Sequence, residues 1–362
     1  MFRAPVEAPV TTSFGVMRDR PAVFVRVEDG EGVVGWGEIW CNFPACGAEH
    51  RARLVADVFA PLLIGRKIAD PDTAFRELTQ KTAVLAIQSG EHGPITQCIA
   101  GIDIALWDLA ARRDAQPLWQ HLGGVNPKIH VYASGINPDR PQELALRKME
   151  EGYNAFKLKV GFGRKRDIAN LAALRQALGD ECRLMADANQ AWDLDSATRM
   201  CRHMAEFDLG WLEEPLRADR PWVEWQDLAG SSSIALAAGE NLAGEAAFEA
   251  ALASRALQTV QPDMAKWGGF SGCLPVAKRI LAANANYCPH YLGGGIGLLA
   301  SAHLLAAAGG NGMLEIDANP NPLRTLLSSP LGSVRKGGVK LGRAPGLGIE
   351  PDLDRLREYA VR

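Results

Sequence analysis

The chain has 362 residues, a formal net charge of −3 at neutral pH and a pI near 6.2. The length suffices for a barrel and a second domain, and the slightly acidic balance argues against a nucleic-acid partner, which calls for a basic surface. Seven cysteines with no paired spacing beyond Cys41 and Cys46 indicate reduced thiols. Without a long apolar run or a signal pattern, we expect a soluble, cytoplasmic protein with no membrane partner.

The first part of the chain reads as strands followed by helices. Residues 22–27 and 33–38 alternate in the manner of strands, and Asp29-Gly-Glu-Gly between them is a hairpin turn signal. From residue 48 to about 113 the pattern becomes helical, with one apolar face formed by Ile95, Ile99, Ile102, Leu106 and Leu109. This order predicts an N-terminal α+β domain over residues 1–124.

The central part alternates short apolar runs with helical stretches, which is typical of βα units. The runs begin near residues 129, 155, 183, 209, 234, 257, 286 and 312. Residues 125–318 are therefore predicted to form a TIM-type α/β barrel of the (β/α)7β kind. Proline and glycine become frequent after Asn319, so we expect residues 319–362 to be an irregular segment that packs back on the first domain.

Three acidic residues, Asp187, Glu213 and Glu240, each close one of these runs at nearly equal intervals. Strand ends of a barrel open onto one face, so the three carboxylates should converge. Unpaired buried carboxylates repel one another, and a set of oxygen-only ligands favours a hard cation, Mg²⁺ before Ca²⁺ or Mn²⁺. The alternative is that each acid caps the helix that follows.

Polar residues close the other strands as well. Lys157 and Lys159 end one strand on the same face, since residues two apart point the same way. Asp263, His290 and Glu315 close three later strands. The lysines could instead be a solvated strand end, and Asp263 with His290 a structural hydrogen bond.

These residues resemble the enolase superfamily, mandelate racemase subgroup, over nearly the whole chain. The motifs that carry the resemblance are Gly101-Ile-Asp-Ile-Ala-Leu-Trp-Asp-Leu, Pro117-Leu-Trp-Gln-His-Leu-Gly-Gly, Lys157-Leu-Lys159, Asp187-Ala-Asn189, Glu213-Glu-Pro215, Gly239-Glu240-Asn241, Pro262-Asp263, Lys266-Trp-Gly-Gly, His290 and Glu315. The resemblance implies a capping domain and Mg²⁺-assisted removal of a proton next to a carboxylate, through an enediolate.

The resemblance also implies a role for each residue. Mg²⁺ would bind to Asp187, Glu213 and Glu240. Lys159 and His290 would be the bases on opposite faces of the substrate. Lys157 would be a positive charge near the substrate carboxylate that also lowers the pKa of Lys159, and Asp263 would orient His290. Glu315, if protonated, could donate a hydrogen bond to the substrate carboxylate, and Asn189 and Lys266 would be supports.

Two points of the resemblance need a choice between residues. Either Glu213 or Glu214 could bind the metal; strand alternation lets only one face the interior, and the family pattern favours Glu213. The muconate-lactonizing and dipeptide-epimerase branch carries a catalytic lysine where this chain has Asp263, so that branch is disfavoured.

Substrate choice should depend on loops at the barrel mouth. The candidates are Arg18, Arg20, Trp40, Asn42 and Phe43 in the first domain, with Trp267 and Tyr291 on the barrel side. An arginine could pair with a second anionic group, and the aromatic residues could exclude water. For each of them an ordinary surface or interdomain role is the alternative.

The leading functional hypothesis is a dehydratase of a hydroxylated or sugar acid, in which Lys159 or His290 takes the α-proton and His290 helps the β-hydroxyl to leave. The alternative is a racemase or epimerase of a 2-hydroxy acid or amino-acid derivative. A third hypothesis is a barrel that binds a phosphate ligand, because Gly293-Gly-Gly-Ile-Gly follows the seventh strand. We expect a small carboxylate substrate and a homo-oligomer.

Overall fold

The computed structural model describes residues 1–361, apart from the side chains of Glu7 and Ala8. Three strands form an antiparallel sheet in the order β1-β2-β3, namely β1 Phe2–Thr11, β2 Val16–Glu28 and β3 Val34–Ile39. The predicted hairpin joins β2 to β3. The carboxylate of Asp29 accepts the N–H groups of Glu31 at 2.8 Å and Val33 at 3.0 Å, which fixes the turn.

Helices follow this sheet, as predicted. They are α1 Gly47–Leu54, α2 Ala60–Leu63, α3 Pro71–Ser89, α4 His92–Arg113 and α5 Leu118–His121, with a π-helical turn at Val55–Phe59 between α1 and α2. The predicted apolar face of α4 is buried against β3. Contact is close because two glycines face each other: a Cβ on Gly37 would lie 2.0 Å from the carbonyl oxygen of Gly101.

Eight parallel strands then form the predicted barrel. They are β4 Lys128–Ile136, β5 Ala155–Lys159, β6 Arg183–Asp187, β7 Leu209–Glu213, β8 Leu236–Ala238, β9 Thr259–Val260, β10 Asn286–Tyr287 and β11 Met313–Asp317. Hydrogen-bonded neighbours run in the order β10-β9-β8-β7-β6-β5-β4-β11. The barrel is therefore nearly closed.

Seven helices alternate with these strands. They are α6 Pro141–Glu150, α7 Arg164–Leu178, α8 Leu194–Met204, α9 Trp222–Ser231, α10 Glu245–Ser254, α11 Gly269–Ala282 and α12 Gly295–Ala308, and a 3-10 turn, Ala205–Phe207, follows α8. No helix in residues 1–361 is both long enough and apolar enough to cross a membrane.

Strand alternation decides which side chains face the barrel interior. In β5, Phe156 and Leu158 belong to the large core between strands and helices, while Ala155 belongs to a small interior cluster with Tyr132 and other residues. Lys157 and Lys159 share the face of Ala155, because side chains two apart point the same way. The barrel interior is therefore apolar near the beginning of β5 and charged towards its carboxyl end.

The remaining segment contains α13 Pro322–Thr325, β12 Gly338–Lys340 and a 3-10 turn, Arg357–Tyr359. Strand β12 pairs antiparallel with β4 of the barrel. Beyond it, the backbone N–H of Leu347 donates to Asp108 of α4 at 2.6 Å, and Arg112 pairs with Glu350 at 2.7 Å. The segment thus contacts both the barrel and the first helices.

Candidate active site

Lys157 lies at the centre of a buried ionic network in the barrel. Its Nζ atom is 2.5 Å from Oε1 of Glu213, 2.9 Å from Oε1 of Glu315 and 3.7 Å from Oδ2 of Asp187. The lysine is fully buried, and the carboxylates around it outweigh the effect of burial, so its pKa is raised well above the usual value. Lys157 is therefore a fixed positive charge.

Lys159 contacts the first of the three strand-end carboxylates. Its Nζ atom is 2.5 Å from Oδ2 of Asp187, and Asp187 also accepts the backbone N–H of Asn189 at 2.8 Å and the side-chain amide of Asn189 at 3.2 Å. Asn189 therefore orients the carboxylate that holds Lys159.

Glu213 is held by three donors at the end of β7. Its Oε2 atom accepts the indole N–H of Trp211 at 3.1 Å and the amide of Gln261 at 2.6 Å, while Oε1 contacts Lys157. Glu214 points elsewhere and accepts both of its hydrogen bonds from the side chain of Asn241, at 2.8 and 3.0 Å. Of the two glutamates, Glu213 is the one that shares a network with Asp187.

His290 lies between two carboxylates. Its Nδ1 atom is 2.7 Å from Oδ2 of Asp263, and its Nε2 atom is 2.8 Å from Oε2 of Glu240 and 3.8 Å from Oε2 of Glu315. Burial disfavours the charged imidazole, but these carboxylates outweigh it and raise the pKa of His290 well above its ordinary value. The structure brings this histidine and the Lys159 side of the site into one network through Glu315 and Lys157.

Lys266 occupies the rim of the site. Its Nζ atom is 3.0 Å from Oε1 of Glu240 and 3.1 Å from Oδ1 of Asn241, and it lies 5.0 Å from the centre of the Trp40 ring. Trp40 of the first domain thus makes a cation–π contact with Lys266, the residue that binds Glu240.

Comparisons with known protein families match most of the chain. A family profile described as the mandelate racemase/muconate lactonizing enzyme N-terminal domain matches residues 1–123, and one described as enolase C-terminal domain-like matches residues 141–355. The chain belongs to the mandelate racemase/muconate lactonizing enzyme family of the enolase superfamily. It is accordingly an enzyme of that superfamily.

Three characterised relatives have related activities. The chain is 32% identical to the 3,6-anhydro-alpha-L-galactonate cycloisomerase of Streptomyces coelicolor (100% of this chain, 98% of the relative). It is also 32% identical to the D-galactarolactone cycloisomerase of Agrobacterium fabrum (94% and 92%) and 31% identical to the D-galactonate dehydratase of Klebsiella pneumoniae (94% and 91%).

Two solved structures are similar to this one. A mandelate racemase/muconate lactonizing enzyme from Bordetella bronchiseptica is 61% identical, with a TM-score of 0.93 over 94% of this chain and 95% of that chain. A racemase from Streptomyces coelicolor with bound magnesium is 30% identical, with a TM-score of 0.86 over 99% and 98%. Members with this fold thus include a magnesium-bound enzyme.

The donor chemistry of the site suits a hard cation, since Asp187, Glu213 and Glu240 offer only carboxylate oxygens. In residues 1–361, however, no three acidic, histidine or cysteine side chains are arranged as a metal cage, because the carboxylates bind lysines and His290 instead. Burial raises the pKa of Glu213 to about 7, against the effect of Lys157. The three carboxylates lie in one buried network, and their oxygen donors fit a divalent ion.

The charge states of two site residues differ from expectation. Burial and Lys157 both lower the pKa of Lys159, but the adjacent Asp187 outweighs them, so it is raised and not lowered. Burial acts to raise the pKa of Glu315, but Lys157 and His290 bring it down to about 2. Glu315 is consequently ionised and accepts a hydrogen bond from the Ser134 hydroxyl, so the condition for its role as a donor, protonation, is not met.

The residues predicted to select the substrate have different surroundings. Arg20 is 2% exposed and forms an ion pair at 2.6 Å with Asp317, a carboxylate that also pairs with Arg324 at 3.2 Å. Arg18 is exposed. Asn42 donates its amide to the carbonyl of Leu292 at 2.6 Å, two residues after His290.

The aromatic candidates divide into two groups. Phe43 packs between Phe14, 5.2 Å away, and Trp40, 6.5 Å away, and these three rings form an aromatic cluster of the first domain. Trp267 instead packs against Phe248 of α10 at 5.8 Å. Tyr291 is buried below the glycine run that begins α12 and contacts Glu38.

Glu38 and Asp103 were not predicted as site residues. Glu38 accepts the backbone N–H groups of Gly294 at 2.5 Å and Gly297 at 2.8 Å at the start of α12. Burial raises the pKa of both carboxyls to about 7. The glycine run that suggested a phosphate ligand therefore donates its backbone N–H groups to a carboxylate of the chain itself. The only sequence signal for this contact was Glu38, the acid at the end of the Gly-Trp-Gly-Glu stretch.

Proposed function

We propose that this enzyme removes the proton next to the carboxylate of a hydroxylated sugar acid, with Mg²⁺, and then eliminates the oxygen on the neighbouring carbon. The observation that carries the proposal is the placement of two proton-carrying side chains on different members of one carboxylate set. Lys159 contacts Asp187 at 2.5 Å, and His290 contacts Glu240 at 2.8 Å. A substrate bound over this set would have a proton carrier at each end.

In this proposal Asp187, Glu213 and Glu240 hold the metal. The metal would act as a Lewis acid towards the substrate carboxylate and so make its α-proton more acidic. Asn189, Gln261 and Trp211 fix the orientation of the ligands Asp187 and Glu213 through the hydrogen bonds described above. Such support is what keeps metal ligands in place.

Lys157 and Glu315 would work as a pair. Removal of the α-proton places negative charge on the carboxylate oxygens of the resulting enediolate, and a buried cation stabilises that charge most strongly where water is excluded. Lys157 is such a cation, and Glu315 holds it at 2.9 Å. Glu315 thus serves as the anchor of Lys157.

Elimination requires an acid for the departing oxygen. His290 carries a raised pKa in its contact with Asp263 and Glu240, and its position next to the ligand set lets it protonate the β-oxygen as the bond breaks. Before that step Lys159, at the other end of the set, would take the α-proton as a neutral amine. Its contact with Asp187 raises its pKa, and binding of the metal by Asp187 would remove that effect. When the β-oxygen is a free hydroxyl, this reaction is a dehydration.

A second candidate uses the same steps. When the β-oxygen belongs to an anhydro or lactone ring, its elimination opens the ring without releasing water, which is a cycloisomerisation. The two cycloisomerase relatives, each 32% identical over nearly all of this chain, favour this candidate. A racemase or epimerase, in which both bases act on one carbon, remains the alternative and would give no loss of oxygen.

The first domain would act as the cap that selects the substrate. We propose that residues 1–124 form this cap, that residues 125–318 form the catalytic barrel and that residues 319–362 pack back on the cap. The contact of Trp40 with Lys266 at 5.0 Å supports a role for the aromatic cluster in covering the site.

The experiment that tests the proposal is a panel assay in D₂O with Mg²⁺. D-galactonate, galactarate, D-galactaro-lactone and an anhydrogalactonate are incubated with the enzyme and followed by mass spectrometry and NMR. A keto product that has lost water indicates dehydration, a keto product of unchanged formula indicates ring opening, and deuterium gain alone indicates epimerisation. Full turnover after exhaustive chelation, or no exchange with any acid of the panel, would contradict the proposal.

A further inference from the structure

Asp263 and His290 lie on two neighbouring loops of the barrel, and each loop leads into a helix. The loop after β9 carries Asp263 and enters α11 at Gly269, and the loop after β10 carries His290 and enters α12 at Gly295. The N-terminus of a helix presents free backbone N–H groups and a partial positive charge, so a carboxylate placed there holds it in position.

Both helix starts are held by acids of the first domain. Asp103 of α4 accepts the N–H groups of Phe270 at 2.7 Å and Ser271 at 3.1 Å, together with the hydroxyl of Ser271 at 2.5 Å. Glu38 of β3 accepts those of Gly294 and Gly297. Glu38 approaches so closely that a Cβ on Gly294 would lie 2.7 Å from its Oε1 atom.

The two acids come from two elements in close contact. Glu38 follows Gly37, Asp103 lies two residues after Gly101, and these two glycines are the point where β3 and α4 touch. The spacing between the two carboxylates is therefore set by the packing of β3 on α4. Asn42, beyond β3, adds a hydrogen bond to Leu292 in the same loop as His290.

Among the side chains that the structure describes, no acid of the first domain accepts a hydrogen bond from the Lys159 side in this way. Lys159 is the last residue of β5 and is held by the sheet itself. At the adjacent loop the first domain supplies a neutral contact, the hydroxyl of Ser13 to the carbonyl of Asn189 at 2.8 Å. In the described residues, the first domain thus holds the two dyad loops through carboxyl groups and the Lys159 side through a hydroxyl group.

We infer that Glu38 and Asp103 are positioning residues that set the relative placement of His290 and Asp263, so that docking of the first domain assembles one of the two proton carriers. The inference rests on the proposed roles of the dyad. If the inference holds, loss of Glu38 or Asp103 slows proton transfer on the His290 side of the substrate and not on the Lys159 side.

The test uses the full-length Mg²⁺-loaded enzyme and the variants Glu38→Gln and Asp103→Asn. Asp108→Asn is the matched control: Asp108 is another buried acid of α4 that accepts two backbone N–H groups, from Trp36 and Leu347, and it touches neither barrel loop. The probes are D-galactonate and its C2 epimer D-talonate in D₂O. The exchange that the His290→Asn variant loses identifies the His290 side.

Exchange on the His290 side should fall by about 10-fold or more in both variants, since small displacements of a proton carrier are costly, while exchange on the Lys159 side stays within about 2-fold. In the Asp108→Asn control, exchange on both sides should stay within about 2-fold of the wild type, even if its melting temperature falls as far as that of Glu38→Gln or Asp103→Asn. Equal losses on both sides, or none, would overturn the inference. If Glu38→Gln does not fold, Glu38→Asp keeps the charge but is too short to reach both glycines.

A substrate-free measurement separates this inference from the proposed function. Absence of exchange by the wild-type enzyme counts against the proposed function alone. Crystal structures of the two variants then decide the inference: a His290 Nδ1 to Asp263 Oδ2 separation beyond about 3.5 Å supports it, and a separation still at 2.7 Å overturns it. Faster amide exchange confined to Gly294 and Gly297 in Glu38→Gln should accompany the former.

Discussion

His290 and Asp263 form a hydrogen bond of 2.7 Å, and backbone N–H groups hold the other oxygen of the Asp263 carboxylate. The Oδ1 atom of Asp263 accepts the backbone N–H groups of Ala265 at 2.9 Å and Lys266 at 3.2 Å, which leaves Oδ2 for the imidazole. A carboxylate in this position sets the tautomer of the histidine and stabilises its protonated form.

Replacing the charge at Asp263 without changing its shape tests that role. We expect Asp263→Asn to fold and to bind Mg²⁺ nearly as the wild type does, but to lose at least about 100-fold in turnover, because general acid–base catalysis contributes on that order. Melting temperature and turnover are measured on one preparation. Near-normal turnover with a clearly lowered melting temperature would make Asp263 a structural anchor.

The two adjacent glutamates of β7 should differ in metal binding. Glu213→Gln should weaken Mg²⁺ binding by about 10-fold or more, because it removes one of three anionic ligands. Glu214→Gln, whose carboxylate is bonded to Asn241, is the matched control and should change the affinity by less than about 3-fold. Isothermal titration with Mg²⁺ gives both values, and the reverse order would reassign the ligand.

Trp40 should affect substrate binding more than chemistry. Because its ring lies over the Lys266 ammonium, we expect Trp40→Leu to raise KM by about 3- to 10-fold with a smaller change in kcat, in keeping with a cation–π contact of about 1 kcal/mol. Trp222→Leu, in the outer helix α9, serves as the control. An unchanged KM in the Trp40 variant would show that the contact between Trp40 and Lys266 does not contribute to substrate binding.

His303 should make the fold sensitive to acid. It is buried in α12 and accepts the backbone N–H of Trp119 through Nδ1 at 2.9 Å, and burial lowers its pKa to about 3. The unfolded chain then binds the extra proton between pH 3 and 6.5, so this contribution to stability is lost as the pH falls through that window.

Urea unfolding of the wild type and of His303→Asn at several pH values measures this effect. The amide oxygen can still accept the Trp119 N–H but does not titrate, so the free energy of unfolding should depend less steeply on pH below 6.5. His203→Asn, at an exposed position of α8, should keep the wild-type slope. Identical slopes in all three proteins would contradict the assignment.

Local patterns predicted the barrel and its polar strand ends well, because both depend on alternation within short segments. Even there the strand ends were approximate: Glu240 and Asp263 lie just beyond β8 and β9, and Glu315 lies inside β11. Backbone pairing, which ends a strand, depends on neighbours that a single segment does not specify.

Contacts between distant parts of the chain were the ones that the sequence did not reveal. The ion pair of Arg20 with Asp317 and the docking of Glu38 at Gly294 join residues nearly 300 and more than 250 positions apart. The sequence did not reveal the pKa shifts of Lys159 and Glu315 for a related reason. Each shift depends on the distance to a partner on another strand.

The most direct test of the central claim follows each proton carrier separately. Wild type, Lys159→Ala and His290→Asn are incubated with Mg²⁺ in D₂O, and the α-deuterium of recovered D-galactonate and D-talonate is measured by NMR. We predict that each variant loses exchange from one epimer and keeps it from the other, and that neither completes turnover. Wild-type turnover in both variants, or loss of the same epimer in both, would contradict the assignment of Lys159 and His290 to opposite ends of the site.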